Sequence, residues 1–390
     1  MNGDQSFRLE PTGVPGKALV LGVVCLAVCL IELVRQPTQF FRSYLFGEVF
    51  WLGIGLGCLG LLMLQHLVAG KWGIVLRRPL EAAARTLAWM GIFFIPVLFG
   101  MHRLFVWTHP GVVAADHILQ LKAAYLNTPF FIVRAIGYFV LWIILIALLT
   151  RWSSAQDATG EPDLVRRMRN LSGPGLAIFG FTVSFAGFDW VMSLEPHFFS
   201  TIYGMMFVVT EAVGAMSFIT LVAIYLADRK PLSEVIQASQ IHDFGNLLLV
   251  FTLLWAYLGF DQFLIIWSGN LQNEIPWYVY RIRHGWAIIA LGLVIFHFAA
   301  PLLLLFQRVI TFQKRYLKYV AGLLFIMSIV DLFWLMMPSY EKVGPQFHWS
   351  DWVALIGLGG LFVGIFFRQL RARPLLPLHD PHLVGVLQHE

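Results

Sequence analysis

Long apolar runs, separated by short polar stretches, dominate the chain. Ten runs stand out, at about 17–34, 45–68, 87–106, 130–150, 174–192, 203–226, 244–267, 286–306, 317–337 and 352–368. Each is close to the roughly 20 residues that a helix needs to cross the hydrocarbon core of a bilayer. The pattern predicts an all-α integral membrane protein with ten transmembrane helices. A segment 1–16 precedes the membrane domain 17–368, and a tail 369–390 follows it. The N-terminal segment lacks the basic start and small-residue cleavage site of a secretory signal. "VRQPTQFFRS" separates the first two runs, and "MPSYEKVGPQFHWSD" the last two. The longest polar stretch, "TRWSSAQDATGEPDLVRRMRNLSGPG", predicts a short basic amphipathic helix over 163–171 at the membrane surface. The tail, "RARPLLPLHDPHLVGVLQHE", reads as extended or docked on a partner. Its His379, His382 and His389 are too loosely spaced for a metal site.

Composition agrees with the pattern. Of 390 residues, 58% are hydrophobic and 13% charged, against roughly 25% charged in soluble domains. Mean hydropathy is +0.74. Of the 27 Lys and Arg residues, 19 fall on the side of the N-terminus and 8 on the other. The positive-inside rule makes the N-terminal side cytoplasmic, with both termini inside a bacterial inner membrane. The net charge of +5 then reflects topology, and gives no reason to expect nucleic acid as a partner. The three cysteines form no C-x-x-C, so covalent haem c and four-Cys iron–sulfur ligation are excluded.

Ionisable residues inside a span are costly and tend to face protein or water. Here they gather toward the non-cytoplasmic half. Glu32, Asp189, Asp261, Asp331, His102 and Arg103 sit near the ends of their runs on that side. Glu48 opens the second run, His284 precedes the eighth, and Glu195 and His197 occupy the turn after the fifth. Glu211 lies about two turns into "GMMFVVTEAVGAMSFITLVAIYL", the carboxylate set deepest in an apolar run. Arg103, Arg281 and Arg283 are available as counter-ions. On the cytoplasmic side, His66, His242 and Asp243 make a candidate intake for protons. Such groups can pass protons near neutral pH when their surroundings tune them. The plain reading is a set of interfacial polar residues that end helices and bind water.

Three chemistries compete. A quinol-interacting subunit needs an apolar pocket, a His or Asp to take a hydroxyl proton, and a route to water. A di-haem b cytochrome needs paired axial histidines on facing helices, and only His297 lies deep in a run. A proton-coupled secondary transporter favours broken helices in both halves. Pro96 in "GIFFIPVLFG" is the one mid-run proline, without a counterpart in the second half.

Two stretches and the ten-span plan carry a resemblance. "FDWVMSLEPHFFSTIYG" (188–204) and "QIHDFGNLLLVFTLLWAYLGFDQFLIIWSGNLQNEIPWY" (240–278) are similar to the polysulfide-reductase NrfD family of membrane subunits. More narrowly, the chain resembles the ActF-type subunit of alternative complex III, a quinol:cytochrome c oxidoreductase. The resemblance implies two four-helix bundles, helices 2–5 (about 45–192) and 6–9 (about 203–337), with helices 1 and 10 peripheral. It implies no redox cofactor on this chain, and a menaquinol or ubiquinol oxidised near the periplasmic face. The partners implied are an iron–sulfur subunit, multi-haem cytochrome c subunits and a second NrfD-like subunit, all set in lipid. The chain's part divides between a quinol-interaction site and a proton-conducting path, and the carboxylate group fits either.

Overall fold

A computed structural model describes residues 7–10, 12–381 and 383; His382 and His389 of the tail lie outside the described residues. The described residues form helices and turns, with no strand among them. Nine helices are long and apolar enough to cross a membrane, and one bent pair makes up to ten. They are α1 (Val14–Arg35), α2 (Pro37–Val68), the bent α3 (Lys71–Phe93 and Ile95–Leu104), α4 (Thr128–Thr159), α5 (Pro162–Trp190), α6 (Tyr203–Leu226), α7 (Ala238–Gly269), α8 (Trp286–Leu305), α9 (Lys314–Met336) and α10 (Trp349–Arg371). The chain is a multi-pass membrane protein.

Several boundaries differ from the sequence pattern, each for a local reason. α2 begins at Pro37, leaving only Gln36 between it and α1, because proline is pre-organised for the first helical position. Residues 163–171 are the opening turns of α5, not a separate surface helix. The helix starts on Pro162 and runs unbroken past Pro174. α3 starts sixteen residues before the predicted run, at Lys71, since Arg77, Arg78 and Glu81 are buried rather than solvated. It bends by 55° around Phe94, where Pro96 offers no N–H and its ring crowds the preceding turn. The described part of the tail packs on its own chain: Leu375 and Leu376 are buried, and Asp380 pairs with Arg77.

α2 and α6 form the centre and are buried over most of their length. α2 packs against α3 and α5, and α4 against α5. α6 packs against α7 and α9, and α8 against both of those. The two sets meet where α2 touches α6. α1 lies outside, with Val20, Val23, Val24 and Val34 exposed. α10 is largely buried and sits between α1 and α2, less peripheral than the resemblance implies. A Cβ on Gly22 would lie 2.7 Å from Leu361 N, and one on Gly360 2.6 Å from Ala18 O. Such small-residue seams let membrane helices approach backbone to backbone.

Candidate functional site

The site is built on the contact between α2 and α6. Gly53 and Gly57, one turn apart on α2, face Glu211. A Cβ on Gly57 would lie 2.5 Å from Glu211 O and 2.5 Å from Ala215 Cβ. The missing side chains make the seat on which the Glu211 carboxyl rests. Glu211 is buried, and its Oε2 finds no hydrogen-bond partner among the described residues. Beside it lies an internal cavity of ≈ 20 Å³, whose lining includes Thr210, Glu211, Ser328, Phe207 and Leu332. That is room for about one water molecule.

A second carboxylate adjoins it. Thr210 Oγ1 donates to Asp331 Oδ2 at 3.0 Å, and Trp255 Nε1 donates to the same oxygen at 3.0 Å. The Trp255 ring stacks on His297, centroids 4.3 Å apart and 17° from parallel. His297 is fully buried, and neither ring nitrogen has a partner among the described residues. It sits in a π-helical turn, Leu293–Ala299, inside α8. Such turns are rare and frequent at functional sites. Each of α6, α7, α8 and α9 thus contributes to one polar cluster: Thr210 with Glu211, Trp255, His297 and Asp331. On α2, Glu48 is buried with both carboxylate oxygens unpartnered among the described residues. It shares its side of the helix with Tyr44, whose hydroxyl donates to Phe93 O at the bend of α3. Buried polar atoms are nearly always hydrogen-bonded, and Glu48, Glu211 and His297 are among the exceptions in this protein.

The remaining sequence candidates go elsewhere. Asp189 is held in an ion pair apart from that cluster: Arg134 grips it in a fork, Nε to Oδ2 and Nη2 to Oδ1 both at 2.8 Å, and the Tyr138 hydroxyl adds a third bond at 2.9 Å. Glu195 accepts from Arg281 Nη1 at 2.7 Å and from Ser339. Arg281 is buried, with its guanidinium 3.7 Å from the Trp277 ring centroid. His197 is exposed and lies 2.6 Å from Asp116 Oδ2. His102 stacks on His109 at the surface, and Arg103 and His284 are also exposed. Asp261 is half-buried on α7, outside the cluster.

No family model matches this chain, and no curated protein matches it in sequence.

The supposed intake on the N-terminal side is divided. His242 Nδ1 lies 3.0 Å from Thr311 Oγ1 and its ring stacks on Phe312, while Asp243 feels Lys71. His66 instead borders the charges of Arg77, Glu81 and Arg78. Those residues head a buried ionic cluster that the sequence pattern did not reveal. Arg78 pairs with Glu81 at 2.7 Å and with Asp157, Glu81 accepts from Ser153, and Arg77 pairs with Asp380 at 2.6 Å. Counted as loop cations, Arg77 and Arg78 gave no sign of burial. Their i,i+3 and i,i+4 spacing to Glu81 was the available signal.

Proposed function

We propose that this chain is a membrane subunit of a quinol:electron-acceptor oxidoreductase, and that its α6–α9 cluster conducts protons linked to quinol oxidation. The observation that carries the proposal is Glu211: a buried carboxyl group about two turns inside an apolar helix, one oxygen unpartnered, beside a water-sized cavity and one residue from the hydroxyl that binds Asp331. A carboxyl can hold a proton on one oxygen while accepting on the other. The Thr210 hydroxyl can accept and donate in turn. Together they supply the exchange sites that proton relays within membranes require.

Size favours conduction over quinol binding at this spot. Ligand pockets run to about 300–1,000 Å³, whereas the cavity at Glu211 is ≈ 20 Å³. The family reading rests on the similarity of 188–204 and 240–278 to NrfD-like, ActF-type subunits. It brings with it an iron–sulfur subunit, multi-haem cytochrome c subunits and a second NrfD-like subunit as partners, and no redox cofactor on this chain. The Lys and Arg bias favours both termini in the cytoplasm, which would put the turn with Glu195 and His197 on the periplasmic side.

The test is the reconstituted complex carrying Glu211→Gln or Asp331→Asn, assayed for quinol oxidation and for protons released per quinol. The expected result is a proton yield at least several-fold lower with the protein still folded. Unchanged turnover and yield in both variants would sink the proposal.

A further inference from the structure

Asp261 sits where a carboxylate should not be left. It lies eight residues before the end of α7, about 12 Å along the helix, and inside the apolar run 244–267. It is half-exposed, and no hydrogen bond or ion pair reaches it among the described residues. Its neighbours on the same outward face are large and apolar: Tyr257 is 64% exposed, Phe260 64%, Leu264 50% and Ile265 53%. The other outward faces are different. α1 presents Val20, Val23 and Val24, and α4 presents Val133, Ile136 and Val140. Neither places a carboxylate toward lipid, since Glu32 on α1 turns inward and is buried.

We infer that the α7 face around Asp261 is a subunit interface, covered by a transmembrane helix of another protein that presents a Lys, Arg or His side chain to this carboxylate. A lone carboxylate facing lipid is costly, and acidic groups within membrane spans pair with partners. None of the described residues supplies a partner, so the complementary charge is assigned to another subunit. The aromatic pair Tyr257 and Phe260 suits the same reading, because aromatics anchor interface cores. The inference stands apart from the proton path, as Asp261 lies outside that cluster.

The test uses the protein in the assembly purified from its own membrane. A photo-crosslinking phenylalanine analogue replaces Phe260 and, as a control, Ile136. The Phe260 probe is expected to join a hydrophobic peptide of a different subunit carrying a basic residue, while the Ile136 probe takes up lipid. Asp261→Lys is expected to reduce the amount of that subunit in the purified assembly several-fold. Changing the mapped basic residue to Asp should restore it. Crosslinks from Phe260 to lipid or to a second copy of this chain would overturn the inference. So would an Asp261→Lys assembly with its full complement, or loss of the subunit that the reversed charge does not restore.

Discussion

Gly53 of α2 lies directly under the Glu211 side chain of α6: a methyl group there would sit 3.0 Å from Glu211 Cγ and 3.3 Å from Oε1. One turn along, the fit is tighter. A Cβ on Gly57 would meet Glu211 O and Ala215 Cβ at 2.5 Å, and one of these is backbone that cannot swing aside. Gly57→Ala is therefore expected to destabilise the protein by about 1–3 kcal/mol, the usual cost of overpacking. Gly180→Ala, with nothing within 4 Å of its Cβ, gains helix propensity and should not lower the melting temperature. Thermal unfolding of both variants in detergent checks this. Equal melting temperatures would mean that α2 and α6 do not approach so closely.

The fork between Arg134 and Asp189 makes a second prediction. Asp189 is buried, its side chain 1% exposed, and the Arg134 side chain is nearly so at 9%. Removing one partner of such a pair leaves an uncompensated charge and costs about 3–5 kcal/mol, whereas replacing both by apolar groups is often neutral. Asp189→Leu and Arg134→Met should each unfold the protein at markedly lower temperature, and the double variant should recover most of the loss. A double-mutant cycle showing simple additivity would contradict a paired Asp189.

These cases show what the sequence could and could not reveal. The spans were legible because about 20 apolar residues have few other uses, and Glu211 was legible because a carboxylate in such a run needs a reason. Side, too, was legible for Glu195 and its counter-ion Arg281. Pairing was not. Asp189 meets Arg134 from fifty-five positions away, and Asp331 meets Trp255 from seventy-six; no local period carries such contacts. Nothing in the sequence singled out Trp255, yet it bridges Asp331 and His297. The buried Arg77, Arg78 and Glu81 were hidden because charge is normally a signal of exposure.

The turn after α5 is tied down by a surface loop. Lys122 Nζ donates to Pro196 O at 2.6 Å, and Asp116 meets His197. Desolvation opposes ionisation of Asp116, but the hydrogen bonds from His197 and from the backbone N–H groups of Leu119 and Ile118 outweigh it, and hold the carboxyl below its ordinary 3.8. A depressed folded-state value means that the stabilisation is present above the unfolded value and is lost as pH falls through the lower folded one. The loop should therefore stay docked at neutral pH and loosen only below about pH 3.8. Protease cleavage within 105–127 across a pH series measures this, using an acid-active protease. Asp116→Asn should be cleaved readily at neutral pH and lose the dependence. Identical cleavage of variant and parent at pH 7 would show that this pair does not hold the loop.

The tail is a strap across the N-terminal side of the bundle. Asp380 binds Arg77 Nη1 at 2.6 Å, His379 Nδ1 lies 2.7 Å from Asp157 O, and Leu375 N donates to Phe7 O at 2.8 Å. Arg77 is 1% exposed and also reaches Gln156 and Glu81, so losing Asp380 does not strand the guanidinium alone. The expected cost of Asp380→Asn is thus that of one charged hydrogen bond, about 1.5–3 kcal/mol, below the full penalty for an orphaned buried ion. Gln156→Leu in the same background removes a second contact and should cost more than the sum of the single changes, since both serve one guanidinium. Chemical unfolding of the two single variants and the double variant in detergent separates the outcomes. Strict additivity, or an Asp380→Asn variant as stable as the parent, would mean that the strap and the ionic cluster are independent.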